Sequence, residues 1–137
     1  MSTASNTGHG KASMRTPVAR ARGLGAAKEG VQHWWAQRVS AAALVPLALW
    51  FVASIIGLAG ADHAAVVEWL SNPLVTVLMI VLIGTTFYHA SLGMQVVYED
   101  YIHTHWLLIV VNVGTKFLCV LLAASAILAV LKISLGA

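Results

Sequence analysis

The sequence predicts an all-α integral membrane protein whose three transmembrane helices form part of a heteromeric helix bundle. The first observation is composition: 59% of the 137 residues are hydrophobic and 9% are charged, whereas soluble domains carry about 25% charged residues. The second is that six basic residues and Glu29 lie within the first 38 positions. The third is a set of three long, nearly uncharged segments. The few charges beyond residue 38 cannot cover a water-exposed surface, so a bilayer is the expected solvent.

The chain begins with a basic segment, residues 1–30, that we expect to be a flexible tail. It contains Gly, Ser and Ala and is almost free of acidic residues. No aromatic platform or nucleic-acid reader motif accompanies its basic residues, so nucleic acid is not an expected partner. Residues 31–137 are then predicted to form the membrane-embedded part.

The three apolar segments predict transmembrane helices at about residues 39–60, 73–98 and 106–131. Each reaches the ~20 residues that a helix needs to cross ~30 Å of hydrocarbon. The second helix has a clear start, because Ser71 or Asn72 can accept free amide protons and Pro73 fits the first helical turn. The residues between the first two helices, from Ala61 to Asn72, are expected to form an external loop.

The distribution of basic residues predicts the orientation. Lys and Arg near membrane spans stay on the cytoplasmic side, so the N-terminus is expected in the cytoplasm. Three spans then place the C-terminus in the periplasm. We expect a multi-pass protein of a bacterial inner membrane rather than of the mitochondrial inner membrane.

His89 is the one histidine well inside an apolar span. Counted from Tyr98 at 1.5 Å per residue, it lies roughly 13 to 14 Å from the inner end of its helix, near the membrane midplane. An ionisable side chain at that depth is costly without a partner or ligand. The imidazole has three candidate roles: it ligates haem iron, joins a proton relay, or hydrogen-bonds a neighbouring helix.

Other residues of the same helix share the face of His89. Gly93 lies one turn further on, where a missing side chain leaves room for a flat macrocycle or for a close helix. Asp100 follows at eleven residues, within about 20° of the same direction, and Tyr101 lies beside it. A carboxylate and a phenol at the membrane edge suit a quinone site, because the phenol can donate a hydrogen bond to a quinone carbonyl and the carboxylate can orient the phenol or pass a proton. The alternative is a solvated carboxylate beside an interfacial tyrosine anchor.

Polar residues at the start of the first span are candidates for binding an anionic group. The guanidinium of Arg38 matches haem propionates or lipid phosphate, and His33 is placed to face the same group. The alternative for Arg38 is a topology signal, and for His33 a position among the headgroups. No second histidine lies at the depth of His89, so a six-coordinate haem would need a ligand from another subunit.

The segment HASLGMQVVYEDY, residues 89–101, resembles a family pattern, H-x-x-x-G-M followed by D-Y. The pattern is that of the hydrophobic membrane anchor of succinate dehydrogenase, the smaller cytochrome b556 anchor of respiratory complex II. The length, the three spans and the HWWAQR start of the first helix at residues 33–38 are similar too. The resemblance covers about residues 30–131.

This resemblance implies specific roles. His89 would be the axial ligand of haem b iron, paired with a histidine of the second membrane anchor of the complex. Asp100 and Tyr101 would lie at the ubiquinone site, and Arg38 and His33 near the haem propionates. An iron-sulfur subunit and a flavoprotein subunit would complete the complex and oxidise succinate, so this chain would be an oxidoreductase subunit that does no succinate chemistry itself.

Two alternatives remain open from the sequence. An anchor of a fumarate reductase-type enzyme, which runs electrons in the reverse direction, would use the same spans and the same histidine. A haem-free transport or proton-relay bundle would instead connect His89 with Asp100.

Overall fold

The computed structural model describes Val18 and residues 27–136, and these ranges contain four α-helices and no β-strand. The helices are α1 (Ala27–Gly57), α2 (His63–Ser71), α3 (Pro73–Tyr101) and α4 (His105–Leu135). Helices α1, α3 and α4 are long and apolar enough to cross a membrane. The predicted all-α architecture with three candidate spans is therefore confirmed. Apart from Val18 and residues 27–30, the predicted tail lies outside the described residues.

Helix α1 begins well before the predicted span of residues 39–60 and ends slightly before its end. The prediction followed the uncharged run, but a charge such as Arg38 limits the hydrocarbon segment and leaves the helix itself intact. Pro46 lies within α1, whose helical assignment continues across it. The chain leaves α1 through a turn in which Gly60 has φ +83°, a conformation that suits glycine.

The segment between the first two spans, residues 61–72, is expected to be a loop, but it contains the short helix α2. Asp62 caps it: its Oδ1 accepts a hydrogen bond from the Ala65 amide at 2.9 Å. The ring of Trp69 in α2 stacks on that of Trp50 in α1, with centroids 6.1 Å apart. This short helix thus folds back against the outer end of the long helices.

The predicted start of α3 is confirmed. Asn72 Oδ1 accepts from the Leu74 amide at 3.0 Å, and Pro73 occupies the first turn. The helix continues past the predicted residue 98 to Tyr101, and a short connection leads to α4. Helix α4 ends before Gly136, whose φ of +71° places it in the left-handed region.

Helix α3 lies between the other two long helices. It packs against both α1 and α4, whereas α1 and α4 do not pack against each other. Each packed pair of long helices is antiparallel. Between α1 and α3, Gln37 meets Gly93 and Ser40 meets His89. Between α3 and α4, Thr76 meets Ser134 and Tyr98 meets Thr115. We call the end that holds the start of α1, the end of α3 and the start of α4 the inner end, and the opposite end, with α2, the outer end.

Very little of the described structure is buried within the chain. The residues that are shielded from solvent are Leu70, Leu92, Val130, Ser40 and Thr76. Most apolar side chains of the long helices therefore face outward, toward lipid or other subunits. This agrees with the prediction that the chain is one part of a larger bundle.

Candidate functional site

The centre of the candidate site is the contact between His89 of α3 and Ser40 of α1. Ser40 Oγ lies 2.9 Å from His89 Nδ1, within hydrogen-bond distance. Ser40 is only 6% exposed, and His89 is half-buried. Of the three roles predicted for the imidazole, a hydrogen bond to a neighbouring helix is therefore present, and it uses one ring nitrogen.

The other ring nitrogen, Nε2, has no hydrogen-bond partner among the described residues. A neutral imidazole bonded through one nitrogen can offer the lone pair of the second to a metal. The helix contact and metal ligation are thus compatible. No cluster of three or more His, Cys, Asp or Glu side chains that would suit a metal ion occurs within residues 27–136, so His89 would act with ligands from elsewhere.

Toward the inner end, α1 and α3 border a groove of about 390 Å³. Two of its lining side chains carry buried polar atoms without a partner among the described residues, namely His33 Nε2 and Gln37 Oε1. A buried polar atom without a hydrogen bond costs about 1–3 kcal/mol. We call this the inner groove; its lining residues are Gly30, His33, Trp34, Gln37, Arg38 and Val96.

Arg38 lines the inner groove with an exposed side chain. Its guanidinium carbon lies 4.4 Å from the ring centroid of Trp34, in a cation–π contact. Trp34 in turn meets Trp35 edge to face at 5.1 Å between centroids. The indole packs against one face of the guanidinium, and the N–H groups of the guanidinium stay available to bind an anion.

The structure also shows what lies opposite Gly93. A Cβ atom on this glycine would lie 3.5 Å from Gln37 Nε2, an ordinary contact distance. The side chain of Gln37 in α1 therefore borders Gly93, and the space there would accommodate a methyl group.

The two predicted quinone-site residues end helix α3. Both are exposed, Tyr101 at 80%, and no hydrogen bond joins them. The nearby Glu99 instead accepts a bond from Gln95 Nε2 at 2.8 Å. The structure therefore brings His33 and Arg38 together in one groove, while Asp100 and Tyr101 stand outside that groove at the inner rim of α3.

A second groove, of about 430 Å³, lies between α3 and α4. It is mostly apolar and contains the exposed Lys116 together with Tyr88 and Cys119. Lys116 makes no hydrogen bond within the described part of the chain. All of its lining residues belong to α3 and α4.

Two residues of the site had no assigned role from sequence: Ser40 and Gln37. Both are polar residues near the start of an apolar span, where a polar side chain usually seeks a partner on another helix. The sequence therefore indicates that these two side chains need partners. It does not identify the partners on α3, because they depend on how two segments that are distant in the sequence align.

Comparison with known proteins adds independent information. The family model described as "Succinate dehydrogenase/Fumarate reductase transmembrane subunit" matches residues 12–131. The chain is similar to the succinate dehydrogenase hydrophobic membrane anchor subunit of Rickettsia bellii (strain RML369-C), with 33% identity over 116 residues, which cover 85% of this chain and 93% of the relative.

Two further relatives carry the same description. The protein from Rickettsia conorii (strain ATCC VR-613 / Malish 7) is 28% identical over 84% of this chain and 92% of its own length. The protein from Paracoccus denitrificans is 30% identical over 63% of this chain and 67% of its own length. No solved structure matches the chain significantly. The extent of the family match, together with these relatives, shows that the chain belongs to the family of transmembrane subunits of succinate dehydrogenase and fumarate reductase.

Proposed function

We propose that this chain is the smaller membrane anchor of a succinate:ubiquinone oxidoreductase, in which it holds haem b with a partner anchor and forms part of the ubiquinone site. The observation that carries the proposal is His89: an imidazole inside an apolar helix, tied through Nδ1 to Ser40, with Nε2 free of partners among the described residues. Family membership supplies the enzyme class.

The residues fit haem b. His89 would supply one axial nitrogen, and a histidine of the second anchor would supply the other. Bound haem b provides a one-electron redox centre within the membrane. Arg38 would bind a propionate through its guanidinium, and the unpaired Nε2 of His33 would donate to the same group. An anionic group here would remove the cost of a buried nitrogen without a partner.

Tyr101 and Asp100 would serve ubiquinone at the inner rim. The phenol would donate a hydrogen bond to a quinone carbonyl, on which negative charge increases during reduction. The carboxylate would pass protons from water, since reduction to quinol consumes two. The exposure of both side chains supports this role, because the remaining walls of the pocket would come from other subunits.

The partners follow from this assignment. A flavoprotein would oxidise succinate, an iron-sulfur protein would carry the electrons to the inner membrane surface, and the second anchor would complete the bundle. We place the complex in a bacterial inner membrane with the N-terminus in the cytoplasm and the C-terminus in the periplasm. The bacterial relatives and the three candidate spans support this placement.

The family description gives a second candidate, the anchor of a fumarate reductase. Both enzymes would use the same helices and the same histidine. The relatives in Rickettsia and Paracoccus are anchor subunits of succinate dehydrogenase, which favours this enzyme. The direction of electron flow would be measured directly, by comparing succinate oxidation with fumarate reduction in the purified complex.

The test of the proposed function is a spectrum of the complex purified in mild detergent. We expect reduced-minus-oxidised bands of a b-type haem, which disappear in the His89→Ala variant. The matched control is His105→Ala, which removes an exposed histidine at the start of α4. Copurification of the flavoprotein and iron-sulfur protein checks assembly of each variant. A wild-type complex without b-type bands, or bands that survive His89→Ala, would contradict the proposal.

A further inference from the structure

We propose that Ser40 is a positioning residue that accepts a hydrogen bond from His89 Nδ1–H and so fixes Nε2 as the metal-binding nitrogen. The inference rests on the proposed function, because it assigns a purpose to the second nitrogen of an axial ligand. Its basis is the set of hydrogen bonds around a single buried hydroxyl group.

Ser40 Oγ has three polar neighbours. The carbonyl oxygen of Ala36 lies at 2.7 Å, that of Gln37 at 3.0 Å, and His89 Nδ1 at 2.9 Å. A serine hydroxyl has one proton to donate and two lone pairs to accept with. Both carbonyl oxygens only accept, so the hydroxyl proton belongs to one of them, and the 2.7 Å distance favours Ala36.

These hydrogen bonds determine which nitrogen of the His89 imidazole carries the ring proton. With its own proton donated to a backbone carbonyl, Ser40 Oγ is an acceptor toward His89, and Nδ1 must carry the ring proton. In the other tautomer, Ser40 would donate to Nδ1. Its oxygen would then lie 2.7 Å from the Ala36 oxygen with no hydrogen between them. That contact is repulsive, and the buried position excludes water that would relieve it.

His89 is therefore already in the tautomer that binds a metal through Nε2. A neutral imidazole protonated at Nδ1 has its lone pair on Nε2 before any metal arrives. The hydrogen bond also limits rotation of the ring, because Ser40 is held on α1 by its own backbone bond. Ligand histidines commonly donate their second N–H to an acceptor, which increases ligand basicity. A more basic ligand stabilises oxidised iron and lowers the reduction potential.

The test uses the purified complex with four variants of α1. Ser40→Ala removes the acceptor, Ser40→Cys substitutes a weak acceptor of similar shape, and Ser40→Thr retains the hydroxyl. The matched control is Ser54→Ala: Ser54 lies on the same helix, and its hydroxyl bonds only the Trp50 carbonyl, at 2.8 Å. Haem retention in detergent and the haem reduction potential are measured for each.

We expect Ser40→Ala to release haem about tenfold faster than wild type, in line with the loss of a hydrogen-bond partner of a metal ligand. Its reduction potential shifts to a more positive value. Ser40→Cys shifts the potential in the same direction by less, while Ser40→Thr and Ser54→Ala resemble wild type. If Ser40 only stabilised the fold, the haem reduction potentials of the Ala, Cys and Thr variants would not follow this order.

Failure of the inference about Ser40 and failure of the proposed function give different experimental results. If wild type binds b-type haem and His89→Ala loses it, but Ser40→Ala matches wild type in both retention and potential, the inference about Ser40 is wrong and the proposed function stands. A wild-type complex without haem contradicts the proposed function itself. Should the alanine variant not assemble, an unchanged potential in Ser40→Cys overturns the inference.

Discussion

The two ends of the helix bundle differ in how their polar groups are satisfied. At the outer end, Thr76 Oγ1 lies 2.8 Å from the Leu70 carbonyl and 2.8 Å from Ser134 Oγ, so one hydroxyl joins three helices. Asp62 and Asn72 cap the two helices that begin there. At the inner end, His33 Nε2 and Gln37 Oε1 are buried without a partner among the described residues.

From this difference we infer that other subunits or ligands attach at the inner end. The buried hydroxyl of Thr76 at the outer end already has partners within the chain. Unsatisfied buried atoms at the other end are costly for the chain alone and become favourable once another molecule supplies their partners. The inner groove is thus where we expect another molecule to supply the missing hydrogen bonds.

The largest expected effect is at the inner rim. Tyr101→Phe should lower quinone reduction about 100-fold, because it would remove the proposed hydrogen bond to a quinone oxygen that gains negative charge during reduction. Succinate oxidation with a soluble artificial electron acceptor should persist. Both rates are measured on the same purified complex.

The control for this variant is Tyr88→Phe, a second exposed tyrosine of α3 that lines the groove on the α4 side. It should leave quinone reduction unchanged. Unchanged quinone reduction in Tyr101→Phe would remove Tyr101 from the quinone site, whereas an equal loss of both activities would indicate failed assembly.

The next effect concerns the groove itself. Gln37→Leu removes the buried oxygen that we expect a donor outside this chain to satisfy in the complex. The donor would then be left unpaired, at a cost of about 1–3 kcal/mol. We expect about tenfold weaker retention of the partner anchor when the complex is diluted in detergent, measured by quantitative copurification.

Gln95→Leu is the matched variant, because Gln95 bonds only the neighbouring Glu99 on the exposed surface of α3. It should retain the partner like wild type. If Gln37→Leu instead retained the partner as well as wild type or better, the oxygen would be unpaired in the complex too, and the contrast between the two ends would be lost.

A smaller effect is expected at the outer end. Thr76→Val keeps the shape of the side chain and removes its hydroxyl, which should lower the free energy of unfolding by about 1 kcal/mol. Thr86→Val is the control, since that exposed hydroxyl bonds only the Leu82 carbonyl of its own helix. Unfolding in mixed detergent micelles, followed by circular dichroism, gives both values. Equal stability of the two variants would show that the three-helix junction contributes nothing.

The smallest effect concerns the stacked indoles. Trp69→Leu retains an apolar side chain but removes the aromatic contact with Trp50, and we expect a loss of about 0.5 kcal/mol in the same unfolding measurement. Quinone reduction should not change, because the stack lies at the outer end. A loss of quinone reduction in this variant would mean that the two ends are coupled.

Much of the fold was accessible from local sequence. The start of α3 was predicted correctly because Asn72 and Pro73 act within one turn of the helix they begin. The three spans were found because their apolar length is itself the physical requirement. Helix α2 also has a local signal, an aspartate cap ahead of an Ala-Val-rich segment. It was not predicted because this segment is too short to cross a membrane.

The site was accessible only in part. His89 was found because a lone imidazole in an apolar segment is conspicuous without any knowledge of the fold. Ser40 and Gln37 gained their meaning from the alignment of α1 against α3, which joins residues 49 positions apart in the case of Ser40 and His89. That alignment arises from side-chain packing between two apolar helices, and no local pattern specifies it.

The unequal packing of the long helices has a consequence for biogenesis. Helices α3 and α4 form a hairpin bonded near both ends, by Tyr98 with Thr115 and by Thr76 with Ser134, whereas α1 packs against only one long neighbour. We expect the hairpin to form as a unit after insertion and α1 to dock last, secured when the other anchor arrives. In cells that lack that anchor, membrane proteases should first cut near α1. Pulse-chase mapping of the first fragments would decide this, and an initial cut in the hairpin would refute it.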